Sequence, residues 1–337
     1  MDAYYRPIVR FGDVPPVQAL RLAGGNCWFD HLAVHRRGQK QQVIHVADAS
    51  EAVLARLTAP RASVAGLDLS RPQVMGILNV TPDSFSDGGR FDDHAAALSH
   101  ARLMQRQGAA IIDIGGESTR PGAAEVDTAT EIQRTAPVIA AIRRESAVPV
   151  SIDTRKAAVA QAAAEAGASL VNDVAAMTFD PAMASTVAAS GLPVCIMHSI
   201  GTPQTMQNDP AYDDVLLDIY DYLDRRIAAA EAAGIARAQI IIDPGIGFGK
   251  TLEHNLTILR FIAIYHGLGC AILLGASRKR FIGTIGGGDT PDDRLGGSVA
   301  VALHGARQGV QVLRVHDILA TRQALDLEWA IGGADGP

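Results

Sequence analysis

The sequence predicts an α/β protein with a (β/α)8 TIM barrel, and three observations lead to that prediction. From residue 74 onward, about eight short apolar segments alternate with amphipathic helical patterns. A polar side chain stands directly after each apolar segment, as at the mouth of a barrel, where the strands' carboxyl ends converge. No GxGxxG motif follows the first segment, which disfavours the alternative, a doubly wound open sheet.

Size, composition and charge exclude several classes of protein. The 337 residues are 48% hydrophobic, enough for a sizeable core, yet no apolar run is long enough to span a membrane. A net charge of −6 with mixed signs argues against a general nucleic-acid-binding protein. The first residues lack the layout of a signal peptide, so we expect a cytoplasmic location. The three scattered cysteines predict neither disulfides nor a zinc site.

Residues 1–70 are predicted to form a small N-terminal α+β extension. Two strands, over residues 27–37 and 41–46, flank a glycine turn, and a short helix follows over residues 49–57. Pro60 and the polar residues after it mark the boundary with the barrel. No chemistry is legible in this extension, and the predicted role is packing or an oligomer contact.

The first barrel strand is predicted over residues 74–80. Its sequence, VMGILNV, is a short apolar run whose composition suits a strand buried on both faces. It brings the amide of Asn79 and a long polar loop to one rim. A helical pattern over residues 94–107, closed by Gly108, then returns to the other end.

The same strand–helix unit repeats along the rest of the chain. The other predicted strands are residues 110–114, 150–152, 169–171, 194–197, 240–242, 271–274 and 311–315. Helical patterns between them include residues 128–144, 157–166 and 214–233. We therefore expect residues 71–337 to form one catalytic domain.

The polar residues after the strands are the candidates for a site. They are Asn79, Asp113, Asp153, Asn172, Asp173, His198, Asp243, Ser277, Arg278, Lys279, Arg314 and His316. Helix capping accounts for one or two of them, for example Asp153 and Asp173, but not easily for a polar group after every strand. The sequence therefore predicts an active site at the mouth of the barrel.

Asp153, Asn172 and Asp243 are expected at neighbouring positions on this rim. Two carboxylates and an amide could do acid–base work, hold a metal, or accept hydrogen bonds from a flat, donor-rich ligand. The third use suits a pterin or guanine-like edge, whose N–H groups form a guanidine-like fork. Lys279 could then serve a ring carbonyl on the opposite side.

Positive charge at the mouth is expected from Arg120, Arg278, Arg314 and His316. Arg314 and His316 are two residues apart at a strand end, so their side chains point the same way and suit a phosphate or pyrophosphate. With Asn79 as a neutral oxygen ligand, any metal is predicted to be magnesium held mainly by a diphosphate.

These residues resemble the dihydropteroate synthases of folate synthesis. The matching segments, in the family's order over residues 74 to about 318, are MGILNVTPDSFSDGG, DIGGESTRPGA, VSIDT, LVNDV, MH followed by GTPQTMQ, DPGIGFGK, SRK and RVHD. The resemblance implies a magnesium-dependent enzyme. Such an enzyme condenses a 7,8-dihydropterin that carries a hydroxymethyl diphosphate with 4-aminobenzoate, and releases 7,8-dihydropteroate and pyrophosphate. It also implies a homodimer formed through the outer helices of the barrel.

The resemblance also implies roles for individual residues. Those at the centre of the chemistry would be Asp153, Lys279, Arg314 and His316. Those that contact the pterin substrate or its diphosphate would be Thr119, Asp153, Asn172, Asp243, Lys279, Arg314 and His316. Those of the aminobenzoate pocket, which is also the sulfonamide pocket, would be Phe85, Arg120, Pro121, Phe248 and Ser277. Asn79 would be the magnesium ligand.

Two departures and two alternatives qualify the resemblance. Arg155 stands where relatives often have an aromatic residue, and Ser199-Ile200 replaces the more usual pair that contains Met. Both could change the shape of the pocket. The alternatives are a pterin-binding methyltransferase module that serves a corrinoid, and a non-catalytic pterin-binding homologue. The intact ESTRPG, SRK and RVHD segments argue against both.

Overall fold

A computed structural model describes residues 2–12, 15–81, 90–118, 123–201 and 210–332 of the chain, without the side chains of residues 90–93. The N-terminal extension contains the strands β1 (Tyr4–Pro7), β2 (Leu20–Arg21), β3 (Trp28–Phe29), β4 (His31–His35) and β5 (Gln42–His45), and the helix α1 (Glu51–Thr58). Strands β1, β4 and β5 form one antiparallel sheet, and β2 pairs with β3. The first strand predicted in the extension is therefore two strands, because β3 and β4 pair with different partners.

Within the described residues, eight parallel strands close into a barrel in sequence order. They are β6 (Gln73–Asn79), β7 (Ile111–Gly115), β8 (Val150–Asp153), β9 (Leu170–Asp173), β10 (Val194–Met197), β11 (Ile240–Asp243), β12 (Ala271–Leu274) and β13 (Val312–Val315). The helices that follow are α2 (Arg90–Arg106), α3 (Thr128–Glu145), α4 (Ala157–Glu165), α5 (Met183–Ser190), α6 (Val215–Ala232), α7 (Leu252–Phe261), α8 (Arg280–Gly286), α9 (Leu295–Arg307) and α10 (Ile318–Ile331). The predicted (β/α)8 barrel is confirmed.

Several strands run further toward the mouth than the apolar pattern predicted. Asp153 is the last residue of β8, opposite Gly115 on β7 and Asn172 on β9. Asp243 is likewise the last residue of β11, opposite Met197 on β10. These polar residues are therefore held by the backbone ladder of the barrel, and their side chains start from rigid positions.

Residues 64–69 close the amino-terminal end of the barrel, and we call this segment the plug. Val64, Leu67 and Leu69 are at most 5% exposed and belong to one buried cluster with the barrel interior. From the strands, this cluster contains Met75, Ile111, Leu170, Cys195, Ile241, Ala271, Leu273 and Val312. The interior of such a barrel must be filled by side chains, and the plug completes that filling at the end opposite the mouth.

The rest of the extension lies against the outer helices of the barrel. Tyr4 packs edge-on against the Tyr220 ring of α6, with 5.1 Å between ring centroids, and its hydroxyl donates to Asp221 at 2.9 Å. Phe11 packs on Trp329 of α10, with 4.7 Å between ring centroids. The division into two domains near residue 70 stays a prediction. Among the described helices, none is long and apolar enough to cross a membrane.

Candidate active site

The centre of the mouth is a guanidinium bound by two carboxylates. Arg314, on β13, donates from Nε to Asp113 at 2.6 Å and from Nη2 to Asp153 at 2.7 Å. Asn172, on β9, donates from its amide to the same oxygen of Asp113 at 3.1 Å. Asp113 is fully buried, and Asp153 and Asn172 are nearly so. The barrel thus brings together four strand ends that the sequence places far apart.

Each of the two carboxylates has one oxygen that accepts no hydrogen bond from a described residue. Asp113 Oδ1 and Asp153 Oδ1 are buried and have no hydrogen-bond partner within the described residues. Buried polar atoms are rarely left without a partner, because losing water without replacement costs about 1–3 kcal/mol. These two oxygens are therefore suited to accept hydrogen bonds from a ligand with N–H donors.

Burial and charge oppose each other in this cluster. Burial raises the pKa of Asp153 to about 7, although the Arg314 guanidinium favours its charged form. Burial also acts to lower the pKa of Arg314, but the charges of Asp113 and Asp153 outweigh it, so the pKa is raised. Arg314 is therefore charged, whereas Asp153 changes its charge close to neutral pH.

A lysine and an aromatic ring lie together on the next part of the rim. Lys279 donates to the Ile246 carbonyl, and its Nζ lies 4.6 Å from the centre of the Phe248 ring, within cation–π range. Burial lowers the pKa of Lys279 to about 8, although Asp243 acts in the opposite direction. Burial raises the pKa of Asp243, whose Oδ1 accepts a hydrogen bond from the Gly245 amide at 2.7 Å.

His198 and Lys250 support this rim from below. Lys250 Nζ lies 3.0 Å from His198 Nδ1 and donates to the Phe248 carbonyl at 2.9 Å. Burial lowers the pKa of both groups. Gly245 (φ +71°) passes so close that a Cβ there would lie 1.9 Å from the His198 carbonyl oxygen. His198 and Lys250 therefore hold the loop that carries Phe248.

Ser277 and Arg278 have roles that the sequence pattern did not reveal. Ser277 Oγ lies 3.1 Å from His316 Nδ1 and accepts the His316 amide at 3.2 Å, so it orients the His316 ring. The sequence predicts that Arg278 brings positive charge and donors to the mouth, and nothing in the sequence shows which carboxylates it meets. In the structure its guanidinium pairs with Asp292 and donates to Asp317 at 2.6 and 3.0 Å, so two carboxylates balance its charge.

Several predicted residues lie outside the described part of the chain. They are Phe85, Thr119, Arg120 and Pro121. Asn79 is described as the last residue of β6, opposite Gly115. Among the described residues, no group of three or more His, Cys, Asp or Glu side chains could hold a metal ion.

Arg155 and Ser199 stand at the positions where the sequence departs from the family pattern. The guanidinium of Arg155 stacks 4.0 Å from the Phe179 ring centre, and the Ser199 hydroxyl donates to the Val174 carbonyl.

Sequence reasoning missed the part played by Asp113. The sequence pattern places Asp113 after its strand but predicts no role for it. The structure makes it the acceptor shared by Arg314 and Asn172. A signal was present, since Asp113 follows an apolar run in the same way as Asp153 and Asp243.

Comparison with known proteins defines the class of the chain. The family model described as pterin binding enzyme matches residues 75–316. Dihydropteroate synthase of Escherichia coli K12 is 48% identical over 262 residues, 77% of this chain and 91% of that protein. The Synechocystis enzyme of the same name is 45% identical over 253 residues, 75% of this chain and 88% of that one.

Solved structures agree with the sequence relatives. Xanthomonas albilineans dihydropteroate synthase with 4-aminobenzoic acid is 44% identical, with a TM-score of 0.77 over 82% of this chain and 99% of that one. Yersinia pestis dihydropteroate synthase, solved in a sulfonamide drug complex, is 47% identical, with a TM-score of 0.75 over 80% of this chain and 97% of that one. The chain belongs to the dihydropteroate synthase family of pterin-binding enzymes. The predicted family and the predicted activity of a dihydropteroate synthase are thereby confirmed, and the dissociative mechanism stays a prediction.

Proposed function

We propose that the mouth binds a dihydropterin diphosphate together with 4-aminobenzoate and joins them into dihydropteroate. The observation that carries this proposal is the pair of free carboxylate oxygens on Asp113 and Asp153, buried beside Arg314. A pterin edge offers ring and exocyclic N–H donors, which are the groups that such carboxylate oxygens accept. The 4-aminobenzoic acid and 7,8-dihydropteroate bound by Xanthomonas albilineans relatives support the same assignment.

The pterin is proposed to lie between the carboxylates and Lys279. Asp153 and Asn172 lie buried at the paired ends of β8 and β9, and Asp243 lies buried at the end of β11, with β10 between β9 and β11. All three are proposed to offer acceptors to one edge of the ring. Lys279 is protonated below its pKa of about 8 and offers a donor to the ring carbonyl. Because Asp153 accepts best when ionised, above a pKa of about 7, binding is proposed to be tightest between these two values.

The proposed reaction is dissociative. The bond between the pterin methylene carbon and the diphosphate oxygen breaks, its electron pair leaves with pyrophosphate, and the aminobenzoate nitrogen then attacks the methylene cation and loses a proton. Arg314 and His316 are proposed to stabilise the leaving charge, with Thr119 as a further contact. Arg314 uses its Nε for Asp113 and its Nη2 for Asp153. Its third nitrogen, Nη1, makes no hydrogen bond to a described residue and is the one proposed to contact the diphosphate. Asp153 would stabilise the cation.

The aminobenzoate is proposed to lie beside Phe248. Lys279 sits against one face of this ring, and Ser277 lies in the turn after β12, the strand that pairs with β11. Phe85, Arg120 and Pro121 complete the pocket in this proposal, and a sulfonamide would occupy the same place.

A homodimer through the outer helices and a cytoplasmic location are also proposed. Analytical ultracentrifugation would test the first, and cell fractionation the second.

The chemistry of the mouth fits a magnesium ion that arrives with the substrate. Asn79 offers one neutral oxygen, and the described residues contain no cluster of ligands that could hold the ion alone. Mg²⁺ usually keeps several waters and binds through one or two protein oxygens plus substrate phosphates. Asn79 and the diphosphate would hold the ion, which would supply positive charge to the leaving group.

Pyrophosphate release tests the proposed function. Purified protein is given the dihydropterin diphosphate, 4-aminobenzoate and magnesium, and each component is then left out in turn. We expect release only with all three, and a loss of at least about 100-fold in Lys279→Ala, because a positioned charge is removed. Lys40→Ala, at an exposed lysine of the extension, is the matched control and should retain activity. Pterin binding without release in the wild type would instead support the non-catalytic homologue.

Calorimetric titration tests the magnesium proposal. We expect weak magnesium binding to the protein alone, and binding at least roughly tenfold tighter once the dihydropterin diphosphate is present, because phosphate oxygens supply most of the ligands. Asn79→Ala should raise the magnesium concentration needed for half-maximal pyrophosphate release. Tight binding of magnesium without the diphosphate, or an unchanged requirement in Asn79→Ala, would contradict the proposal.

A further inference from the structure

A buried ionic cluster lies beside the mouth, where β7 and β8 end. Lys156, only 5% exposed, donates from Nζ to Glu117 and, at 2.7 Å, to Glu131 on α3. The same ammonium donates to the Val126 carbonyl at 2.5 Å. Glu117 and Glu131 are also buried. We call Glu117, Lys156 and Glu131 the clamp.

The clamp binds both backbone groups of Val126. Lys156 donates a hydrogen bond to the Val126 carbonyl, and Glu117 accepts one from the Val126 amide at 3.1 Å. Glu117 stands just before residues 118–125, and Val126 stands just after them. The clamp therefore fixes the two ends of this segment against each other, and Glu131 ties both ends to α3.

Two further contacts hold the start of the segment. Arg134 of α3 donates to the Gly116 carbonyl at 2.9 Å. A Cβ at Gly116 would lie 2.8 Å from Thr135 Cγ2, so only glycine lets the backbone approach α3 this closely. Arg155 adds a second cation to Glu117, at 3.0 Å from Nε and 2.7 Å from Nη2.

Stability alone is a weak explanation for so many buried charges. Removing ions from water costs several kcal/mol each, and well-packed apolar side chains of similar volume often serve a fold as well or better. What the charges provide here is fixed geometry, since Lys156 has three donors and each reaches a different oxygen. No hydrogen bond found among the described residues joins the clamp to Asp113, Asp153 or Arg314, although the charge of Glu131 contributes to the raised pKa of Asp153.

We propose that the clamp is a positioning device for aminobenzoate binding. It joins Glu117 to Val126, and so sets the distance between the two described residues between which Thr119, Arg120 and Pro121 stand in the sequence. The inference rests on the proposed function, in which these residues contact the substrates. It extends that function to Glu117, Lys156 and Glu131, which touch neither substrate.

Glu117→Gln tests the proposal, with Glu145→Gln as its matched control. The first substitution keeps the shape of the side chain but removes the charge that holds Lys156, Arg155 and the Val126 amide. Glu145 lies at the exposed end of α3 and pairs with exposed Arg102. In Glu117→Gln we expect the KM for 4-aminobenzoate to rise roughly 10- to 100-fold, since small misplacements in a site can cost about 100-fold. The KM for the dihydropterin diphosphate should stay within about twofold, as both constants should in Glu145→Gln.

Hydrogen exchange at the Val126 amide shows whether the clamp has opened. Exchange there should be faster in Glu117→Gln and unchanged in Glu145→Gln. Lys156→Arg keeps a cation and should retain most of the affinity for 4-aminobenzoate, whereas Lys156→Met should lose it. If Glu117→Gln does not fold, Lys156→Met is compared with Lys156→Arg in the same two measurements, hydrogen exchange at Val126 and the two KM values.

The outcomes separate this inference from the proposed function. Faster exchange at Val126 with an unchanged KM for 4-aminobenzoate would overturn the clamp's role, and so would an equal rise in both KM values. A wild-type protein that forms no dihydropteroate would overturn the proposed function instead.

Discussion

Arg314→Met is expected to lower kcat by at least about 100-fold, because preorganised charge at a reaction centre is usually the largest catalytic contribution. Arg314 is the group that holds Asp113 and Asp153 in place, at 2.6 and 2.7 Å. Methionine is of similar length but leaves two buried carboxylates without their cation. Breaking a buried pair in this way costs about 3–5 kcal/mol, so the free energy of unfolding should fall by a similar amount.

The loss of stability in Arg314→Met should depend on pH in a defined direction. In the wild type, burial raises the pKa of Asp153 to about 7, above the value near 4 in an unfolded chain. A carboxyl with a raised folded pKa stabilises the protein fully below its unfolded pKa, and that stability is lost as the pH rises through the folded pKa. Without Arg314 the folded pKa of Asp153 moves higher still. The wild type therefore stops losing stability near pH 7, whereas the variant continues to lose it above that pH.

Denaturant unfolding at several pH values between about 5 and 9 measures this difference. Arg102→Met is the control, because Arg102 forms an exposed ion pair with Glu145, and such pairs contribute about 0–1 kcal/mol. The control should match the wild type in both stability and activity at every pH. A gap between Arg314→Met and the wild type that narrows above pH 7 would contradict the proposed role of Arg314 as the cation of Asp153.

Leu67→Ala in the plug is expected to lower the free energy of unfolding by about 2–5 kcal/mol, the usual range for removing a buried leucine side chain. Leu67 packs with the interior residues at the amino-terminal end of the barrel. The mouth lies at the other end, so kcat and both KM values of the folded protein should be unchanged. Thermal and denaturant unfolding measure the first effect, and pyrophosphate release measures the second.

Val43→Ala is the control for the plug. Val43 also belongs to the extension, but it is 52% exposed on β5, so its truncation should change stability by less than about 0.5 kcal/mol. A loss in Leu67→Ala no larger than in Val43→Ala would show that the plug is dispensable, and residues 64–69 would then be a separable appendage. The expected large loss of unfolding free energy in Leu67→Ala would show that residues 64–69 belong to the barrel's core, although they precede residue 70.

The sequence by itself determined the order of strands and helices and the end of the barrel that carries the site. Both depend on local patterns: apolar runs of strand length, amphipathic helices between them, and a polar residue where each strand ends. The family could also be identified from contiguous segments such as DIGGESTRPGA. Asp153, Asn172 and Asp243 could be found in this way because each directly follows its own apolar run.

Only the tertiary structure decided which of these side chains are partners. Arg314 binds Asp113, 201 residues earlier, and Lys156 binds Glu117, 39 residues earlier. The tertiary structure also pairs Arg278 with Asp292 and Asp317. It packs the plug against the residues of the barrel's core. Hydrophobic periodicity records which face of a strand or helix is buried, but not which distant charge it meets. That choice is made when the closed barrel brings strand ends together and removes them from water, so that each buried charge must find a partner.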